Sequence, residues 1–216
     1  MPPRKPSGQT GPTRIEVTPA GPSMTWKKID FPADKAEIER LIMNIFVRET
    51  SRHGFVFKAV KQNEENNFDF TLELPGGVVD MDLVEFVFRD GQGRPYDDGE
   101  TRIETYKLAE QLCDLVSKKA MHYGKSNARP IHLLVYATHW RFFPNEIAFR
   151  LVQHFLQRSS VFENVFFLAP HDQESAELRV LAPSENPLEG RNPEEFRDHW
   201  YLNLDPGKAI LVSGTN

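Results

Sequence analysis

An α/β fold, a three-layer α/β/α sandwich around a mixed central sheet, is the architecture this sequence predicts, and three observations carry it. Helical apolar stripes alternate with short runs of β-branched and aromatic residues. Two of those runs, Ile131 to Thr138 and Val165 to Ala169, are apolar throughout, as strands covered on both faces are. Three others, between residues 55 and 88, are joined by short polar or Gly-rich turns and read as an antiparallel meander. The predicted element order is αβββαβαβ with an irregular C-terminal tail.

The first 24 residues are rich in Pro, Gly, Ser and Thr, with Arg4, Lys5 and Arg14 making them basic, and are expected to form a disordered arm. Asp34 then opens a helix, with Glu37 at capping-box spacing. Ile38, Leu41, Ile42, Ile45 and Phe46 form its apolar stripe, and Gly54 ends it. The meander follows as Phe55 to Lys61, Phe68 to Leu74 and Val78 to Phe88, with a turn at Asn63 to Asn67 and another at Pro75-Gly76-Gly77. A polar loop, Arg89 to Gly99, precedes a long helix from about Glu100 to Tyr123, where Asp97, Asp98 and Glu100 suit the positive end of the dipole. Pro144 and Asn145 start a third helix bearing Ile147, Leu151, Val152 and Phe155. The core thus spans residues 25–170. Residues 171–216 form an extension packed on it, with short strands at Leu178 to Leu181 and Ala209 to Val212.

Bulk properties narrow the function classes. The chain has 216 residues, a formal net charge of −5 and one cysteine. No apolar run reaches the roughly 20 residues a membrane span needs, so no membrane association is expected. The N-terminus lacks the apolar stretch of a secretory signal, and Cys113 has no internal partner, which suits a cytoplasmic protein. A mildly acidic chain does not support general nucleic-acid binding, although a local basic patch stays open.

The sharpest local inference concerns carboxylates. With Gly76-Gly77 as the hairpin loop, Leu74 faces Val79, Leu72 faces Met81 and Phe70 faces Leu83, while a one-residue slip sets Leu72 against Asp80. The other face then carries Glu73 opposite Asp80 and Thr71 opposite Asp82, with Asp69 one step further. At about 5.5 Å, like charges repel by about 0.8 kcal/mol in water and by about 3 kcal/mol at an effective dielectric of 20. A covered face of this kind needs a cation, and Asp69, Glu73, Asp80 and Asp82 are the candidate ligands for Mg²⁺ or Mn²⁺. The alternative is an open face eased by Lys58 or Lys61. If the carboxylates repel on a shared face, Asp82→Asn leaves the fold intact or stabilises it. Glu85 falls on the apolar face, where a carboxylate needs a partner.

The element order and the acidic hairpin resemble the PD-(D/E)xK restriction-endonuclease-like superfamily, over Ala33 to Ala169. The resemblance implies an Asp on the second strand, met by Asp69, and an acidic-x-Lys triplet on the third. Asp82-Leu83-Val84 or Glu85-Phe86-Val87 takes that place, each without the lysine, and Asp82 shares a face with Asp69. Lys107 on the following helix is the candidate for the missing cation. An active member would hydrolyse phosphodiesters with a metal held by the carboxylates; without a lysine the site is vestigial.

Two other readings compete. Trp140 and Arg141, with Phe142 and Phe143, make an aromatic-Arg cluster suited to docking a protein in a non-catalytic interaction module. His139, His171 and Asp172 lie at the carboxyl ends of two buried strands, as a small-molecule hydrolase would place an acid/base pair. No nucleophile elbow, HExxH, Walker A or GxGxxG motif accompanies them.

Overall fold

A computed structural model describes residues 10–19, 21–64, 68–89, 102–123, 128–157 and 161–207. Six strands form the central sheet: β3 (Ala59–Gln62), β4 (Phe70–Leu74), β5 (Gly77–Glu85), β7 (Ile131–Tyr136), β8 (Asn164–Pro170) and β9 (Ala176–Ala182), in that spatial order. The meander β3-β4-β5 is antiparallel, β5-β7-β8 is parallel, and β9 returns antiparallel on β8. The sheet is therefore mixed, as the contrast between alternating and fully apolar strands predicts. Outside it lie a hairpin, β1 (Thr13–Thr18) with β2 (Gly21–Trp26), and a small pair, β6 (Arg102–Glu104) with β10 (Trp200–Leu202).

Three helices complete the layers: α1 (Lys35–Arg52), α2 (Thr105–Tyr123) and α3 (Glu146–Leu156). Their starts follow local chemistry. The Asp34 carboxylate accepts from Glu37 N at 3.1 Å and the Asn145 side chain accepts from Ala148 N at 2.8 Å, each satisfying an N–H that the helix leaves free. α1 buries Ile38, Ile42, Ile45 and Phe46 against Leu72, Met81, Leu134 and Phe166 on one face of the sheet. α2 and α3 pack Leu108, Leu112, Leu151 and Val152 against Leu133, Val135, Val165 and Phe167 on the other. Successive strand residues alternate between these two cores.

Three expectations are corrected. Residues 13–26 pair as a hairpin rather than belonging to a disordered arm; Ile15 and Val17 alternate with polar neighbours, and Gly21, at φ 118°, supports the turn. Residues 1–9 lie outside the described part, as do the expected strand at 209–212 and the capping residues Asp97, Asp98 and Glu100. Residues 171–207 are less irregular than expected, because β9 is a full member of the central sheet. The first meander strand begins at Ala59, leaving Phe55 and Val56 exposed. Among the described residues no helix is long and apolar enough to cross a membrane.

Candidate functional site

The hairpin register differs from the expected one by two residues. Leu72 pairs with Val79, Phe70 with Met81 and Thr71 with Asp80, so Pro75-Gly76 forms the loop and Gly77 opens β5. A two-residue shift preserves which face each side chain occupies, and apolar parity cannot detect it. It also removes the like-charge pair: Glu73 lies across from Val78, and the Thr71 hydroxyl donates to Asp80 at 3.2 Å.

The four predicted carboxylates consequently divide. Glu73 is exposed, and its strand neighbour on β3 is Ala59. Asp80 is half-buried between Thr71 and Arg129, whose guanidinium stands 3.6 Å away. Asp69 and Asp82 do meet. Asp69 lies just before β4, where its carboxylate accepts from Leu83 N at 2.7 Å. Leu83 lies two residues beyond the last β4–β5 pair, so the Asp69 side chain satisfies an N–H that the ladder leaves unbonded.

Asp82 is 3% exposed and carries its own partners. Lys119 Nζ donates to its Oδ2 at 2.7 Å, and the Tyr123 hydroxyl donates to the same oxygen at 2.6 Å. Lys119 and Tyr123 are four residues apart on α2 and so share a face. Asp82 thus holds structural partners, which argues against the expectation that Asp82→Asn leaves the fold intact or stabilises it. Lys107 occupies the opposite end of α2, about 18 Å from Lys119 along the axis at 1.5 Å per residue. Lys119 is the α2 lysine that reaches Asp82. From α1, Lys35 pairs with Glu39 at 3.1 Å, and Glu39 is 6% exposed. The Glu39 hydrogen bond first, then the charges of Glu39, Asp69 and Asp82, raise the Lys35 ammonium above its ordinary value against a counteracting desolvation.

These contacts push the two acids apart. Burial, then the hydrogen bond shared with Asp82 and the charges of Asp82 and Glu39, push Asp69 up to about 7 despite the Leu83 N–H. Burial also disfavours the Asp82 charge, but hydrogen bonds from Asp69, Lys119 and Tyr123 outweigh it and hold Asp82 below its ordinary value. Tyr123 is raised by burial and by Asp82, and so remains a donor. The arrangement is a carboxylic acid beside a carboxylate that is already ion-paired, the pattern that separates acid from base in a carboxylate dyad.

Among the described residues no set of three or more His, Cys, Asp or Glu side chains is gathered for a metal. Mg²⁺ nonetheless takes one or two carboxylates and completes its shell with water and substrate oxygens. Asp69 and Asp82 fit that smaller requirement, and a cation there would replace the proton they share.

The remaining candidates serve other ends. Glu85 accepts from the Thr138 hydroxyl at 2.5 Å, which supplies the partner its parity demands. His139 is buried, accepts from Arg141 N at 3.1 Å and contacts the Trp140 and Phe142 rings, so it caps the short 3-10 turn Trp140–Phe142. His171 is exposed, and the Asp172 carboxylate accepts from Glu174 N and Ser175 N, forming a local turn. His139 is thus a buried cap and His171 an exposed loop residue. Phe142 is buried, Trp140 is half-buried, and Asn203 holds the Arg141 carbonyl at 3.1 Å, so this loop is tied to the C-terminal segment. Cys113 is half-buried in α2, where burial, then Asp114 and Glu110, push its thiol up to about 12.

No protein-family model matches the chain, and neither a curated protein nor a solved structure is significantly similar to it.

Proposed function

We propose that the chain is a metal-assisted phosphodiester hydrolase of the restriction-endonuclease-like kind, with Asp69 and Asp82 as its acidic pair and Lys119 as its cationic member. One observation carries the reading: Asp69 from the approach to β4, Asp82 from β5 and Lys119 from α2 converge around a single carboxylate–carboxylate contact. The lysine absent from the strand is replaced in space from a helix.

A divalent cation at Asp69 and Asp82 would lower the pKa of a bound water and offset phosphate charge. The protein's own groups do the rest. Leu83 N fixes the Asp69 carboxyl group, whose proton would leave if a cation bound there. Asp82 fixes the Lys119 ammonium at 2.7 Å, beside the place where phosphate charge would develop. Tyr123 holds the Asp82 carboxylate from the same helix face.

The test is cleavage of double-stranded DNA and single-stranded RNA by the full chain with Mg²⁺ or Mn²⁺. Cleavage should vanish on chelation, and Lys119→Met should slow it about 100-fold, the scale on which one preorganised charge contact acts. No cleavage of either substrate with either cation, or an unimpaired Lys119→Met, would overturn the proposal.

A further inference from the structure

The hairpin strand β1 has an uncovered edge. Among the described residues it pairs with β2 alone, and all six of its residues are exposed, Ile15 at 58% and Val17 at 82%. A two-stranded ribbon is marginal by itself, and an open strand edge is a template for another strand.

The ladder fixes what that edge presents. The Pro12 carbonyl accepts from Lys27 N at 3.1 Å and the Thr10 carbonyl from Ile29 N at 2.8 Å. Both pairs continue the register in which Thr13 meets Trp26 and Thr18 meets Gly21. Bonded and non-bonded pairs alternate along an antiparallel ladder. Arg14, Glu16 and Thr18 therefore direct their backbone N–H and C=O groups to β2, whereas Thr13, Ile15 and Val17 direct theirs outward. Pro22 agrees with this phase: it lacks an N–H and lies across from Val17, where the ladder takes no bond.

The side chains single out the strand that fits. Arg14 and Glu16 are two residues apart on one face and pair at 2.7 Å while both remain exposed. Let a second β1 run antiparallel along this edge, with a two-fold axis at Ile15. Ile15 then meets Ile15, Thr13 meets Val17, and Arg14 meets Glu16 in both directions. The outward backbone groups of Thr13, Ile15 and Val17 find their counterparts at the same time. A shift of two residues either way still matches the backbone, but the axis then falls on Arg14 or Glu16. Arginine would face arginine, or glutamate would face glutamate. Opposite charges across a sheet attract and like charges repel, so the register at Ile15 is the one selected. Ile15 and Val17 share their face with Pro22 and Met24, and the axis continues that apolar face across both copies.

We propose that β1 is the interface of a homodimer, two copies joining edge to edge about a two-fold axis at Ile15 into a four-stranded sheet. Such a contact is isologous, each patch meeting its own copy. It is independent of the hydrolase reading, since Asp69, Asp82 and Lys119 take no part in it. One strand edge is small beside the roughly 1,200–2,000 Å² of stable interfaces, so the dimer is expected to dissociate on dilution.

Sedimentation equilibrium of the full chain over a range of concentrations should show a reversible monomer–dimer equilibrium. Arg14→Glu and Glu16→Arg each set like charges across the axis and should weaken self-association about tenfold or more. Mixed in equal amounts, the two variants should associate with each other about as well as the wild type does with itself. Ile15→Pro removes an N–H that β2 does not use, so it should abolish the dimer, with thermal unfolding reporting that the fold is kept. Ile15→Cys should cross-link to a covalent dimer under mild oxidation, because a bonded pair sets its Cα atoms about 5.5 Å apart. Val17→Cys, which faces Thr13, should cross-link far more slowly. A full chain that is monomeric at every concentration overturns the proposal, since the edge is then closed to a second copy. Charge variants that each self-associate like the wild type, a mixture that does not associate, or a folded Ile15→Pro variant that still dimerises also overturn it. Equal cross-linking at residues 15 and 17 overturns the register and the proposal with it.

Discussion

Asp69→Asn isolates the proton that the two acids share. Asparagine keeps an oxygen for Leu83 N–H and presents an amide that donates to Asp82, so it copies the protonated acid in shape and hydrogen bonding. The unperturbed carboxyl titrates at 3.8, whereas Asp69 in the fold titrates at about 7. Between these values the native protein retains a proton that the unfolded chain has released. Stability therefore falls as pH rises through this window and levels off above it. Three pH units at about 1.36 kcal/mol each bound the loss at about 4 kcal/mol. Asp69 keeps partial contact with solvent, and screening reduces the expected loss to roughly 2 kcal/mol. Asp82 does not cancel this term, because its pKa is lowered and its stabilising contribution is lost only as pH falls below 3.8. With no proton to lose, Asp69→Asn should match the wild type near pH 4.5 and exceed it by about 2 kcal/mol at pH 8. For a chain of this length that is about 4–8 °C in Tm. Scanning calorimetry at both pH values with chelator present measures it. A variant no more stable than the wild type at pH 8, with a parallel pH profile, refutes the shared proton.

Further perturbations test the surroundings. Lys119→Met leaves Asp82 with one fewer donor; breaking a buried pair costs about 3–5 kcal/mol, but the Lys119 side chain is 30% exposed, so about 2 kcal/mol is expected in urea unfolding. Adding Asp82→Asn to that variant should recover part of the loss, and a fully additive double variant would mean that the pair is not coupled. Gly11→Ala places a Cβ 1.9 Å from the Lys27 carbonyl, so the backbone must shift at an expected cost of about 1–3 kcal/mol. The same urea titration checks it, and an unchanged midpoint would show that the segment before β1 moves aside freely.

What the sequence made legible follows the range of each interaction. Asp34 and Asn145 act on N–H groups three residues away, so spacing alone locates the starts of α1 and α3. Parity placed Asp69, Asp80 and Asp82 on one face because side chains alternate strictly along a strand. Register is a finer matter: Pro75-Gly76 and Gly76-Gly77 loops bury the same apolar residues, and only the turn geometry separates them. Lys119 was hidden because the turn of α2 that meets β5 depends on how the helix lies across the sheet. The available signal was its i,i+4 relation to Tyr123 near the helix end. Glu39 left a comparable trace, an acid beside the apolar stripe of α1 with Lys35 one turn before it. The β1–β2 hairpin escaped because Pro- and Gly-rich composition masked the alternation of Ile15 and Val17.

Metal-assisted hydrolysis by this chain requires that the Asp69–Asp82 contact take a cation. Thermal unfolding of the full chain at pH 8, in chelator and then with Mg²⁺ or Mn²⁺ in excess, measures this beside Asp69→Asn. At 100-fold over its dissociation constant the cation should stabilise the wild type by about 2.7 kcal/mol, a rise of roughly 5–10 °C, and leave the variant unmoved. No rise in the wild type, or an equal rise in both proteins, would contradict the proposed metal site.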